Sequence, residues 1–211
     1  MTNKKRLLDQ AYTFDHSSTV EHTREFYDEW AEVYDEELVT EQGYAMPERC
    51  AAALARFATP SQLRVLDIGC GTGLSGKALH AVGARTMDGC DISPGMLEKA
   101  SELNLYDRLF VADLTRPPLD VADASYDAAT VVGVYSFGHL HADTTETILR
   151  AVASGGLVVI GVNDHFYGEG SLRTKLDALE HDGFVTRLLA EHGAHLPVKG
   201  VEGWVFVLRK T

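Results

Sequence analysis

The stretch Arg64-Val65-Leu66-Asp67-Ile68-Gly69-Cys70-Gly71-Thr72-Gly73 constrains the fold more than any other part of the chain. A short apolar run with β-branched residues ends in an aspartate, and three alternate glycines follow. The apolar pattern from Leu74 to Val82 then reads as a helix. Strand, glycine turn and helix is how an open α/β sheet builds a ligand site beyond the carboxyl end of its first strand. Glycines suit such a turn because they adopt φ > 0 and carry no Cβ to hold a ligand off the backbone.

The rest of the chain supports that architecture. Strand-like segments fall near 63–68, 84–90, 108–112, 126–133 and 156–162, and helix-like ones near 74–82, 95–104 and 143–153, the last opened by the box Asp143-x-x-Glu146. Residues 171–181 look helical and end at Gly183, after which Phe184–Leu189 and Trp204–Leu208 read as two final strands. Upstream, Ser18-x-x-Glu21 is a capping-box pattern, and Phe26, Trp30, Tyr34 and Leu38 recur at helical spacing. The intervening acids, among them Asp28, Glu32 and Asp35, are expected to form a solvated face. Pro47 opens a second helix. The alternation predicts a Rossmann-like, doubly wound sheet of about seven mostly parallel strands with helices on both faces. The expected organisation is one domain over 1–211, with a flexible tail over about 1–15.

The turn selects among cofactors. The dinucleotide fingerprint is G-x-G-x-x-G, which aims N–H groups at a pyrophosphate. Here the spacing is G-x-G-x-G, with Asp67 two residues before the first glycine, where a carboxylate opposes phosphates. No Gly-Lys-Ser/Thr closes a P-loop. A ligand with a cationic part and no phosphates fits better, and S-adenosylmethionine qualifies. Asp91 ends a second strand-like run 22 positions after Gly69 (91 − 69), near the spacing of a ribose-binding carboxylate. Asp113 follows a third apolar run, where an acceptor meets an adenine amino group. The competing reading, that each aspartate only caps the next helix, is weakest at Asp91, because Ser93-Pro94 already supplies a cap and a first-turn proline.

With those residues in view, Asp67-Ile68-Gly69-Cys70-Gly71-Thr72-Gly73, Asp91-Ile92-Ser93-Pro94-Gly95-Met96-Leu97 and Ala112-Asp113-Leu114 resemble the class I S-adenosylmethionine-dependent methyltransferases, and in particular the small UbiE-like group. Phe26 to Asp35 is similar to that group's N-terminal helices. The likeness spans roughly residues 24–163. It implies S-adenosyl-L-methionine as cofactor and S-adenosyl-L-homocysteine as product. It further implies one antiparallel strand near the C-terminus and N-terminal helices over about 18–58 covering the cofactor cleft. The cofactor-binding positions it implies are Tyr34 (or Tyr27), Asp67, Gly69, Cys70, Gly71, Gly73, Asp91, Ile92, Met96, Asp113, Leu114 and Gly133.

Charge and composition bear on the acceptor. Acids exceed bases by 31 to 19, a formal net charge of −12, which disfavours a nucleic-acid partner. A small-molecule methyl acceptor is expected, or failing that a restricted protein site. No run approaches a membrane span, and the basic N-terminus lacks the apolar region of a secretory signal. Three cysteines without metal-ligand spacing read as reduced thiols of a cytoplasmic protein. A monomer or weak homodimer is expected.

The acceptor pocket should be walled by Gly133–His141 and Asn163–Gly168, which mix aromatics with polar tips. His139, His141 and His165 are candidate general bases, with His139 preferred. His139-x-His141 with Asp143, or Asp164-His165, offers nitrogen and oxygen ligands but no matched motif, so no metal is expected. Ser154-Gly155-Gly156 lacks the family's common proline, and no Asn-Pro-Pro-Tyr motif follows the fourth strand. A non-catalytic S-adenosylmethionine-binding module is therefore an alternative. A nicotinamide-dependent oxidoreductase is a weaker one, given the turn's spacing and Asp67.

Overall fold

A computed structural model describes residues 19–136 and 141–211. A seven-stranded sheet runs in the order β3-β2-β1-β4-β5-β7-β6. Its strands are β1 (Arg64–Ile68), β2 (Thr86–Asp91), β3 (Arg108–Val111), β4 (Tyr126–Val132), β5 (Val152–Asn163), β6 (Val185–Leu196) and β7 (Val201–Lys210). The first five pair in parallel, and β7 lies antiparallel between β5 and β6. The strand order reverses direction at β1, with β2 on one side and β4 on the other. A ligand crevice forms at such a switch point.

The helices are α1 (Val20–Trp30), α2 (Met46–Phe57), α3 (Leu74–Ala81), α4 (Pro94–Glu102), α5 (Thr144–Ala151), α6 (Asp164–Glu169) and α7 (Ser171–His181). They form two layers because the central strands are apolar on both faces. On one face α1 to α4 bury Trp30, Met46, Leu54, Leu79 and Met96 against Val65, Val159 and Val207. On the other, α5 to α7 bury Ile148, Phe166, Leu172 and Leu176 against Ile68, Val131, Ile160 and Phe206. Among the described residues, no helix is long and apolar enough to cross a membrane.

Several boundaries differ from the sequence reading for identifiable reasons. Strand β5 starts at Val152, not 156, because Val152 pairs with Tyr126 across a bulge that absorbs Ser154-Gly155-Gly156. A Cβ on Gly156 would come within 2.6 Å of the Asp127 carbonyl oxygen, so that position admits glycine only. Strands β6 and β7 extend well past the apolar cores read from sequence, since backbone pairing continues through the polar stretch Glu191–Ala194. Asn163 caps a short helix, α6, where a loop was expected, its Oδ1 accepting the Phe166 N–H at 2.9 Å.

Side-chain contacts mark both helix starts. Thr19 caps α1 by accepting from the His22 N–H, while Ser18 lies outside the described residues. Asp143 makes no side-chain cap, and its carboxylate and that of Glu146 instead hold Lys175 of α7.

Candidate active site

The β1–α3 turn is built from glycine conformations. Gly69, Gly71 and Gly73 have φ of +64°, +54° and +92°, where other residues are strained. Their surroundings differ. A Cβ on Gly69 would meet Val134 at 2.4 Å, and one on Gly73 would meet Leu103 at 2.5 Å, so these two are needed for packing. A Cβ on Gly71 would meet nothing within 4 Å. It would project into a cavity of about 720 Å³, counting the open mouth, that Gly69 and Gly71 line.

At the head of β2, half-buried Asp91 faces the same cavity. Its Oδ2 accepts the Gly71 N–H at 2.9 Å and its Oδ1 the Ser93 N–H at 3.0 Å. Burial raises its pKa, and those backbone N–H groups oppose the rise. Each oxygen retains a lone pair, so the carboxylate can still accept from two hydroxyls. Ile92, Met96, Ala112, Asp113, Leu114 and Thr115 continue the wall. Asp113 is held in a turn by the Thr115 N–H and hydroxyl, at 2.9 and 2.6 Å, and its other oxygen meets Arg116 at 3.2 Å. Val132, Gly133 and Val134, following β4, close the far side.

The N-terminal segment forms the roof. Thr23, Tyr27 and Tyr34 line the cavity, and burial drives the Tyr34 hydroxyl pKa well above its ordinary value. Glu25, Glu29, Glu32 and Glu36 are exposed as expected, while the half-buried Asp28 and Asp35 also fasten the segment. Asp28 Oδ1 accepts from Ser93 Oγ at 2.6 Å and the Gly95 N–H at 3.0 Å. Asp35 accepts from Thr72 Oγ1 at 2.5 Å and pairs with Lys77 at 3.3 Å, and Glu32 pairs with Lys99 at 3.0 Å.

Of the positions expected to bind cofactor, Tyr34, Gly69, Gly71, Asp91, Ile92, Met96, Asp113, Leu114 and Gly133 line this one cavity, while Asp67, Cys70 and Gly73 do not. Asp67 is wholly buried beneath the turn. Its Oδ2 accepts from Ser75 Oγ at 2.5 Å and Tyr106 Oη at 2.7 Å, and its Oδ1 from Thr130 Oγ1 at 2.8 Å. Burial raises its pKa against those three donors. Sequence reasoning passed over Tyr106, whose ring lies where Gly76 and Gly89 have no side chain: a Cβ on either would sit 2.2 Å and 3.0 Å from it. Cys70 is buried with its thiol pKa raised well above the usual value, and burial pushes Cys90 up to about 12. All three cysteines are free.

The expected acceptor walls divide. Gly133 and Val134 face the cavity, whereas Tyr135 turns into the core, its hydroxyl 2.7 Å from Thr145 Oγ1. Ser136, His141 and Phe166 line a separate depression against α7. His165 is exposed, and His139 lies outside the described residues.

The switch-point cleft and the glycine turn thus define a nucleotide-cofactor site on a doubly wound sheet. Residues 65–156 match the Methyltransferase domain family model. Methyltransferase-like protein 27 of Homo sapiens is 34% identical over 170 residues, covering 78% of this chain and 69% of that protein. Two solved structures share the fold at low identity. The [4+2]-cyclase SpnF superposes with a TM-score of 0.68 at 15% identity, covering 93% of this chain and 98% of that one. The 1,6-didemethyltoxoflavin-N1-methyltransferase of Burkholderia thailandensis, solved with 1,6-didemethyltoxoflavin and S-adenosylhomocysteine, gives 0.65 at 17%, covering 92% and 91%. The chain belongs to the class I S-adenosylmethionine-dependent methyltransferases, and S-adenosylmethionine is its cofactor.

Proposed function

We propose that this methyltransferase acts on a small-molecule acceptor, by in-line transfer that depends mainly on alignment. The observation that carries the cofactor's placement is the charge of the cleft: among the described lining residues there are two aspartates and no lysine, arginine or histidine. Such a wall suits a ligand bearing a cation and repels phosphates. Bound S-adenosylmethionine supplies a methyl group activated by its sulfonium.

In this reading the chain's residues bind and orient. Asp91 accepts both ribose hydroxyls. Gly71, carrying no side chain, lets the cofactor's polar tail reach the backbone N–H groups of the turn. Asp113 and Leu114 border the adenine, with Ile92 and Met96 packing beside it. Gly69 and Gly133 flank the reacting end. Tyr27 and Tyr34 roof the cleft and keep water from it. The chain's contribution to rate is then chiefly the holding of donor and acceptor at reaction distance. Aromatic and aliphatic surface at Tyr27, Tyr34, Val132 and Val134 favours a flat or partly apolar acceptor. The excess of acids over bases, 31 to 19, argues against nucleic acid.

Two measurements test this. Asp91→Ala should weaken S-adenosylhomocysteine binding by about 10- to 100-fold in calorimetry, the loss of a charged acceptor being worth about 1.5–3 kcal/mol. Unchanged affinity would remove Asp91 from the ribose site. Incubation with methyl-labelled donor and a fractionated cell extract should place label in the metabolite fraction. Label confined to protein or nucleic acid would overturn the small-molecule reading.

A further inference from the structure

At the other end of the same sheet rim, three side chains from separate elements converge. Asp164 opens α6, His192 lies on edge strand β6, and Glu202 on β7. Asn163, Gly203 and Gly193 form one rung across β5, β7 and β6, so the residues beside that rung meet in space. One ligand-type atom from each of Asp164, His192 and Glu202 lies within 4.8 Å of the other two. His192 Nε2 stands 2.8 and 3.0 Å from the two Asp164 carboxylate oxygens.

The arrangement is held from behind. Arg49 of α2 donates to the carbonyl oxygens of Glu191, Ala194 and Gly203, at 3.0, 2.8 and 3.2 Å. These flank His192 and Glu202 and fix the local backbone. The His192 ring rests on the Trp204 indole, with centroids 4.9 Å apart. Among the described residues, no lysine or arginine forms an ion pair with Asp164 or Glu202, and the ion pair shown at Asp164 is to His192. The two carboxylates and the imidazole thus lie close enough together to share one divalent cation, even with the Arg49 guanidinium on the backbone behind them.

We infer that Asp164, His192 and Glu202 bind one divalent first-row transition-metal ion of the zinc type, tying the β6–β7 hairpin to the start of α6. An imidazole nitrogen with two carboxylate oxygens suits such ions, whereas calcium and magnesium take all-oxygen sets. Three protein ligands leave the remaining coordination to water. The site is separate from the methyl-donor cleft and does not depend on the reading of that cleft. Sequence alone paired Asp164 with its neighbour His165; the fold brings it instead to His192, 28 residues away.

The test is calorimetric titration of ZnCl2 into the chelator-stripped full chain. One saturable site per chain is expected. His192→Ala and Glu202→Gln should each weaken it at least about tenfold, the cost that even losing an outer-shell partner brings. His181→Ala, at another exposed histidine, should leave the isotherm unchanged. S-adenosylhomocysteine affinity retained in both ligand variants would show the loss to be local. No saturable zinc binding, or wild-type binding by His192→Ala or by Glu202→Gln, overturns the inference.

Discussion

Asp67, Asp91 and Asp113 end or follow three neighbouring parallel strands, yet each meets a different environment. Asp67 disappears beneath the turn and is consumed by three hydroxyls. Asp91 keeps acceptor capacity toward the cleft, and Asp113 is bound into its own turn at the cleft's edge. The glycine turn was legible from sequence because φ > 0 is a property of single residues. The burial of Asp67 was not, because Tyr106 and Thr130 lie 39 and 63 residues away. The three turn glycines also differ in kind, since only at Gly71 does the missing Cβ leave open space. Gly71→Val should therefore weaken S-adenosylhomocysteine binding at least about tenfold, ~1.4 kcal/mol. It combines left-handed strain with a branch projecting into the cleft. Gly168→Ala, with open space and no left-handed φ, is the control and should leave affinity unaltered. Equal effects in the two variants would make the turn merely structural.

At the scale of elements, helical spacing identified α1 through α5 and α7, and β-branched runs identified the strand centres. What pattern did not give was what the polar faces touch. The acidic face after Glu21 looks like an ordinary solvated surface, but Asp28, Glu32 and Asp35 are the contacts that seat the roof on α3 and α4. Asp28 bonds the first turn of α4, beside the Ser93 N–H that Asp91 accepts, so the roof and the Asp91 end of the cleft share one small network. Asp28→Ala should speed amide hydrogen exchange across Val20–Trp30. It should also reduce S-adenosylhomocysteine affinity several-fold, since a charged hydrogen bond is worth about 1.5–3 kcal/mol. Glu25→Ala on the same helix should do neither. Protection of α1 unchanged in Asp28→Ala would show that the aromatic contacts of Phe26 and Trp30 hold the roof without it.

Across the whole molecule, His195 marks the junction of the N-terminal segment with the far sheet edge. It is 5% exposed, its carbonyl accepts the Ala45 N–H at 3.0 Å, and Tyr44 meets its ring edge-on. Burial, with Arg49 nearby, lowers its pKa from 6.5 to about 4. Between those values the unfolded chain binds the proton and the folded chain does not. Stability contributed by the neutral ring is complete above pH 6.5 and is lost as pH falls toward 4, by on the order of 3 kcal/mol. Urea denaturation across that range should show a flatter profile for His195→Phe, and parallel profiles would refute the assignment. A [4+2]-cyclase shares this fold at a TM-score of 0.68, so the fold by itself does not set a reaction. The succession of strands and helices along the chain (apart from α6), the glycine turn and the spacing of the three aspartates followed from sequence alone, because periodicity and backbone conformation are local. Which aspartate faces the cleft, how the acidic helix docks, and the meeting of Asp164, His192 and Glu202 were decided only in the tertiary structure. Their partners are far apart along the chain, and it is the order β4-β5-β7-β6, with the packing of α1 over the switch point, that brings them within a few ångströms.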